Sequence, residues 1–116
     1  MKRAAAEASR FVLAGDIGGT RARFALLDEA GRRIVHQEVL ESRQHATFEA
    51  AFRRFLDGAA EKLAAPPKIG AASFGIAGPV VDQRVKTTNL PWTIDARSVG
   101  RAFDIPKVTL LNDLVA

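Results

Sequence analysis

Residues 11–27 read FVLAGDIGGTRARFALL, an apolar run that meets a Gly-Gly pair and continues as an alternating run. The apolar run over residues 11–17 predicts a largely buried strand, and the alternation over residues 21–27 predicts a second strand. Two strands joined by Gly18-Gly19 are typical of a β-hairpin. The chain therefore opens with an antiparallel pair, from which the rest of the fold can be built.

A third strand and a helix follow this hairpin. Side chains alternate over residues 34–40 after a turn at Ala30-Gly31, which predicts a third antiparallel strand. Residues 47–64 carry apolar side chains at helical spacing and charged side chains on the opposite side. Thr47 suits the N-cap of this helix, and Pro66-Pro67 suit its end. The predicted buried positions are Phe48, Phe52, Phe55, Leu56, Ala59 and Leu63.

The second half of the chain alternates between strands and helices. Residues 68–76 predict a strand of small residues, and residues 80–88 predict a short hairpin. Asp95 suits the N-cap of a second helix that Pro106 closes, and residues 108–111 predict the last strand. This order predicts an α/β fold with a mixed sheet between helices, in which the first three strands are antiparallel and the later ones parallel.

The length of 116 residues suits one modest domain. We expect residues 1–10 to be frayed and residues 11–116 to form the domain. Residues 114–116 resemble the first turn of a helix, so we expect a truncated domain.

Composition excludes several classes of function. Lys and Arg outnumber Asp and Glu by 17 to 13, but the basic residues are scattered without interleaved aromatic residues, which argues against nucleic-acid binding. The absence of cysteine excludes disulfides and thiolate metal sites, and His36 and His45 lack partners at metal-ligand spacing. The apolar run over residues 11–14 is too short to span a bilayer. We therefore expect a soluble, cytoplasmic protein without a membrane or nucleic-acid partner.

A first group of candidate functional residues lies in the hairpin turn at residues 15–20. Gly18-Gly19 permits positive φ angles and leaves the turn amides open to a phosphate, while Asp16 could orient a hydrated cation and Thr20 could donate a hydroxyl. A plain hairpin turn with a solvated aspartate explains the same residues, because glycine pairs are common in turns.

Two further groups occur near the end of the chain. Asn89 could bind two sugar hydroxyls, held by the corner at Pro91-Trp92, although Asn89 also suits a plain turn and Trp92 a core position. Asp113 follows the last strand and could accept the proton of a hydroxyl that attacks phosphorus, while Asn112 holds a neighbouring hydroxyl. Asn and Asp at this point also suit a helix N-cap.

The chain resembles the bacterial ATP-dependent glucokinase family over residues 11–116. That family belongs to the superfamily of actin, sugar kinases and seventy-kilodalton heat-shock ATPases. The resemblance rests on four motifs that follow the family's order and approximate spacing. They are Asp16-Ile17-Gly18-Gly19-Thr20, Gly75-Ile76-Ala77-Gly78-Pro79, Thr88-Asn89-Leu90-Pro91-Trp92 and Leu111-Asn112-Asp113. Joint occurrence is far more specific than any one of them.

The resemblance implies a ribonuclease H-like domain, the N-terminal lobe of a two-lobe sugar kinase. It implies phosphorylation of the 6-hydroxyl of D-glucose by ATP with Mg²⁺, at the start of glycolysis, and a homodimer for the full-length protein. Asp113 would be the general base. Glucose would bind Gly78, Asn89, Asn112 and Asp113, and the nucleotide phosphates would bind Gly15, Asp16, Ile17, Gly18, Gly19 and Thr20. Further contacts follow residue 116 in the family, so we expect this chain alone to be inactive.

One residue departs from the family pattern, and two alternative functions stand beside this interpretation. Many glucokinases carry Asn where this chain has Arg21, which leaves the role of that side chain open. The related family of repressors, open reading frames and kinases shares a similar first motif, but usually has Glu-Asn-Asp where this chain has Leu111-Asn112-Asp113. A non-catalytic sugar-binding fragment is the other alternative.

Overall fold

The computed structural model describes residues 10–30, 32–87 and 90–112. These residues form seven strands, two α-helices and one turn of 3₁₀-helix. In chain order they are β1 (Arg10–Ile17), β2 (Arg21–Leu27), β3 (Ile34–Glu41), the 3₁₀ turn Ser42–Gln44, α1 (Phe48–Leu63), β4 (Lys68–Ile76), β5 (Arg84–Lys86), β6 (Thr93–Asp95), α2 (Ala96–Phe103) and β7 (Lys107–Asn112). The predicted helix start at residues 114–116 lies outside the described residues.

The main sheet has five strands in the order β3-β2-β1-β4-β7. Strands β1, β2 and β3 pair antiparallel, whereas β4 pairs parallel with both β1 and β7. The predicted mixed sheet and α/β fold are therefore confirmed. Since β1, β4 and β7 run in the same direction, their carboxyl ends meet at one edge of the sheet.

One face of this sheet carries the core. Phe24 on β2 and Phe74 on β4 lie on that face and are buried under Phe48, Phe52 and Phe55 of α1. The rings of Phe24 and Phe52 stack 5.5 Å apart, and those of Phe48 and Phe74 meet edge to face at 5.1 Å. Such aromatic pairs contribute about 0.5–1.5 kcal/mol each beyond the area that they bury.

Both described helices lie on this same face. The ring of Phe103 on α2 lies 4.6 Å from that of Phe52 on α1, which places the two helices side by side. The prediction put the sheet between helices, whereas the opposite face is open in the part of the chain that the structure describes. We call this the exposed face; its exposed side chains include Ala14, Asp16, Arg21, Arg23, Gln37, Val39, Glu41, Ser73, Lys107 and Leu111. Neither α1 nor α2 has the length and apolar character that a bilayer-spanning helix needs.

The segment between β4 and α2 differs from the predicted hairpin over residues 80–88. Val81 and Arg84 form a single antiparallel bridge around Asp82 and Gln83, whose φ angles are 53° and 57°. Strand β5 then pairs antiparallel with β6 in a separate two-stranded sheet. The chain therefore makes a tight turn followed by a wider hairpin, and β6 is too short to show an alternation in the sequence.

The helix boundaries agree with the predicted caps at their starts. The Thr47 hydroxyl accepts a hydrogen bond from the Ala50 N–H, and the Asp95 carboxylate accepts from two backbone N–H groups of α2. Each helix ends at a left-handed residue, Ala64 with φ 62° and Asp104 with φ 56°. These two residues are the C-caps, so the last helical residues, Leu63 and Phe103, lie three residues before the prolines that were expected to stop the helices.

Candidate active site

The carboxyl ends of the three parallel strands define the candidate active site. Ile17 of β1 is aligned with Ile76 of β4, which is aligned with Asn112 of β7. Two strand spacings separate β1 from β7, a distance of about 10 Å. The hairpin turn after β1, the Gly-Pro turn after β4 and Asn112 therefore lie along one edge, where ligands usually bind in open α/β sheets. Asp113, the predicted base, lies outside the described residues.

The turn at residues 18–21 is tight. The Gly18 N–H donates to the Arg21 carbonyl at 2.9 Å, and a Cβ at Gly18 would lie 3.3 Å from that carbonyl oxygen. Positive φ angles were anticipated at Gly18 and Gly19, but among the described glycines a positive φ occurs at Gly78. Glycine therefore suits position 18 because the Arg21 backbone approaches closely there, and not because the φ angle is unusual. Thr20 is exposed at this turn.

Gly15 and Asp16 lie on opposite faces of β1. Gly15 is on the core side, where a Cβ would lie 2.5 Å from Cδ1 of Phe74, so glycine is needed for packing. Its contact with phosphate stays a prediction. Asp16 lies on the exposed face, opposite Arg23 of β2. Its carboxylate oxygens are of the kind that Mg²⁺ prefers.

Ser42 holds the backbone of the hairpin turn, a role that was not predicted from the sequence. The Ser42 hydroxyl donates to the Gly18 carbonyl at 2.9 Å, and its backbone N–H donates to the Thr20 carbonyl at 2.9 Å. The side chain is fully buried. A serine directly after a predicted strand is too common in sequences to have indicated this contact.

The Gly-Pro turn after β4 lies against the end of β1. The Ala77 N–H donates to the Ile17 carbonyl at 3.3 Å and so extends the strand pairing by one bond. Gly78 follows with a φ of 153° and is buried. That backbone conformation is rare for residues with side chains, which explains the glycine.

The predicted glucose loop is fixed at both ends, although Thr88 and Asn89 lie outside the described residues. The Thr87 N–H donates to the Trp92 carbonyl at 3.0 Å, and the Thr87 hydroxyl donates to the Leu90 carbonyl at 3.0 Å. Trp92 is 1% exposed, and its Nε1–H donates to the His45 carbonyl at 3.0 Å. Trp92 is therefore a core residue that also anchors the loop carrying Asn89.

The end of β7 is held by a side chain rather than by a further strand. The Leu110 N–H donates to Oε1 of Gln83 at 2.8 Å, and Nε2 of Gln83 donates to the Leu110 carbonyl at 3.3 Å. This contact joins residues 27 apart, and nothing in the sequence around Gln83 indicates it. Gln83 thus fixes the backbone two residues before Asn112.

The two histidines do not form a metal site with other described residues. His36 was expected on a surface strand, without a partner at metal-ligand spacing, but its side chain is only 17% exposed and its Nε2 lies 2.7 Å from Oε2 of Glu38. Both side chains lie on the same side of β3, because they are two residues apart on a strand. The residues that the structure describes contain no group of three or more His, Asp or Glu side chains that could hold a metal ion.

Sequence comparisons relate this chain to known proteins. The glucokinase family model matches residues 13–116. A glucokinase from Ralstonia nicotianae is 36% identical over 109 residues, which cover 90% of this chain and 30% of the relative. The chain thus spans about a third of the length of the curated relatives that it matches.

Solved structures give the same result. The crystal structure of a glucokinase from an Antarctic psychrotroph is 30% identical, with a TM-score of 0.71 over 89% of this chain and 32% of that chain. A glucokinase of the ROK family from Streptomyces griseus, in complex with glucose and AMPPNP, is 27% identical, with a TM-score of 0.63 over 89% of this chain and 33% of that one. Because the glucokinase family model matches most of this chain, the chain belongs to the glucokinase family.

Proposed function

We propose that the complete protein carrying this chain transfers the γ-phosphoryl group of ATP to the 6-hydroxyl of D-glucose, in the cytoplasm. The alignment of Ile17, Ile76 and Asn112 at one sheet edge carries this proposal, because it brings three of the four family motifs together. The related Streptomyces griseus structure contains glucose and AMPPNP, which supports glucose and ATP as ligands.

The glucose side of the proposed site consists of Gly78, Asn89, Asn112 and Asp113. Asn112 ends β7 at the carboxyl edge of the sheet, and Asp113 is the next residue of the sequence. In the proposed reaction the Asp113 carboxylate accepts the proton of the 6-hydroxyl as its oxygen bonds to the γ-phosphorus, and the bond from that phosphorus to the ADP oxygen breaks. Phosphoryl transfer depends mainly on positioning and charge stabilisation, which these side chains can supply to the sugar.

The phosphate side consists of the turn at residues 15–20. The Gly18 N–H is bonded to the Arg21 carbonyl, so the proposed phosphate donors are the backbone N–H groups at the tip of the turn, where Gly19 has no side chain to shield them, and the Thr20 hydroxyl. Mg²⁺ bound with the nucleotide would neutralise phosphate charge, and Asp16 would hold it directly or through water. The exposure of Asp16 and Thr20 at the strand end supports this assignment.

Replacing Asp113 by Asn in the complete protein tests the proposal. We expect kcat for glucose phosphorylation to fall by about 10²–10⁴-fold, because the amide cannot accept the proton. Glucose binding, measured by calorimetry, should remain detectable. Asp104→Asn is the matched control: Asp104 is exposed at a left-handed position, which Asn tolerates well. Near-normal turnover of Asp113→Asn would refute the role of Asp113 as base.

A further inference from the structure

The described residues bury two polar side chains, Ser42 and Thr87. A buried hydroxyl lowers stability unless it is hydrogen-bonded, and an apolar residue at the same position avoids that cost. Both hydroxyls are bonded to backbone carbonyls next to the proposed site, Ser42 to Gly18 and Thr87 to Leu90. The two buried hydroxyls thus hold the two loops that the proposed function assigns to phosphate and to glucose.

Ser42 begins a short path between those loops. The path starts where its hydroxyl and N–H donate to the carbonyls of Gly18 and Thr20. The His45 N–H then donates to the Ser42 carbonyl at 3.1 Å, which closes the 3₁₀ turn. The His45 carbonyl accepts from Nε1 of Trp92, the residue that anchors the loop carrying Asn89. Residues 42–45 therefore contact the phosphate turn at one end and the glucose loop at the other.

We propose that residues 42–45 form a rigid link that sets the separation between the phosphate turn and the glucose loop, with Ser42 as its positioning residue. This inference rests on the proposed function, because it concerns the two halves of the same site. Ser42 does not touch a substrate. It acts through the backbone of Gly18 and Thr20, whose carbonyls it holds.

The link affects the chemical step more than either binding step. Each loop retains its own internal hydrogen bonds without Ser42, for example Gly18 N–H to Arg21 carbonyl and Thr87 N–H to Trp92 carbonyl. Reaction requires the attacking oxygen and the phosphorus to approach within about 3–3.5 Å, and a displacement of about 1 Å can lower the rate about 100-fold. Loosening the link therefore reduces kcat while each substrate alone still binds.

The test compares Ser42→Ala with Thr47→Ala in the complete protein. Thr47 lies in the same connection between β3 and α1, but its hydroxyl accepts a hydrogen bond from the Ala50 N–H of α1 rather than contacting either loop. Both variants lose one hydrogen bond and should show a similar decrease in Tm. We expect Ser42→Ala to lower kcat about 10–100-fold with the Kd for glucose within about twofold of wild type. We expect Thr47→Ala to keep both values. Equal kcat values for the two variants would overturn the link, as would a loss of kcat in Ser42→Ala matched by an equal loss of glucose affinity.

A second readout separates the link from the proposed activity. In NMR spectra, Ser42→Ala should shift the amide resonances of Gly18 and Gly19 and also the indole N–H resonance of Trp92, assigned with Trp92→Phe. Thr47→Ala should leave the two glycine resonances in place. If wild-type protein fails to phosphorylate glucose, the proposed function fails, and these shifts still decide whether the link exists. An unchanged Trp92 resonance in Ser42→Ala would overturn it.

Discussion

The side-chain amide of Gln83 replaces a neighbouring strand at the outer edge of β7. It offers an acceptor to the Leu110 N–H and a donor to the Leu110 carbonyl, as a peptide group would. An unpaired sheet edge is open to association with other chains, and a side chain that covers it reduces that tendency. At the scale of single residues, this amide fixes the strand that ends at Asn112.

Replacing Gln83 by Glu should give a stability defect that depends on pH. Above the pKa of the new carboxyl, its charged oxygen faces the Leu110 carbonyl oxygen, so the pKa is raised in the folded state. The protonated acid can donate and accept as the amide does, so the loss relative to wild type should shrink as pH falls from 7 to 4. Urea unfolding of both proteins at each pH measures this. Gln37→Glu is the control, because Gln37 is an exposed residue of β3. A loss of stability in Gln83→Glu that does not depend on pH would contradict the role of the amide.

Helix α2 owes its start to Asp95, which joins it to the small β5-β6 sheet. The carboxylate accepts hydrogen bonds from the Arg97 N–H at 2.9 Å and the Ser98 N–H at 3.3 Å, and it lies 3.1 Å from Nε of Arg84. The pKa of Asp95 is lowered, chiefly by the hydrogen bond from the Ser98 N–H, then by that from the Arg97 N–H and by the positive charge of Arg84. The helix is therefore held most firmly when Asp95 is charged.

Acid should weaken this cap. Since the pKa is lower in the folded state, the stabilisation is fully present above the unfolded-state pKa of about 3.9 and is lost as pH falls through the folded-state value. Asp95→Asn keeps an N-cap acceptor but has no charge to lose. We expect wild type to be more stable than this variant at pH 6 and the difference to narrow at pH 3. The midpoints of urea unfolding at each pH measure this difference in stability. A difference that stays constant between pH 6 and pH 3 would contradict the role of the charged cap.

Elements with a strong local pattern could be predicted from the sequence, and long-range contacts could not. Helix α1 was predicted closely because Thr47 caps it and its apolar residues recur at helical spacing. The pairing of β5 with β6 was missed because three-residue strands show no period. Ser42 and Gln83 were missed because their partners lie 24 and 27 residues away. The motifs at the strand ends could be identified, but not the hydrogen bonds that hold them.

At the scale of the whole molecule, the two faces of the main sheet differ in the isolated 116-residue polypeptide. Helices cover one face, while Val39 on β3 and Leu111 on β7, each 53% exposed, lie on the exposed face at the two edge strands of the main sheet, with Arg23, Asp16 and Gly75 in register between them. An edge strand that carries an exposed apolar side chain favours association with another copy. The net charge of +4 opposes association through repulsion between copies, and salt screens that repulsion.

We therefore expect the isolated polypeptide to self-associate increasingly as its concentration and the salt concentration rise. Replacing both Val39 and Leu111 by Thr should reduce association, because threonine has a high strand propensity and presents a hydroxyl in place of apolar atoms. Val81→Thr is the control, since Val81 is 66% exposed but lies outside the main sheet. Sedimentation velocity at several concentrations measures the effect. Equal association of the double variant and the control would contradict the proposed role of Val39 and Leu111 in self-association.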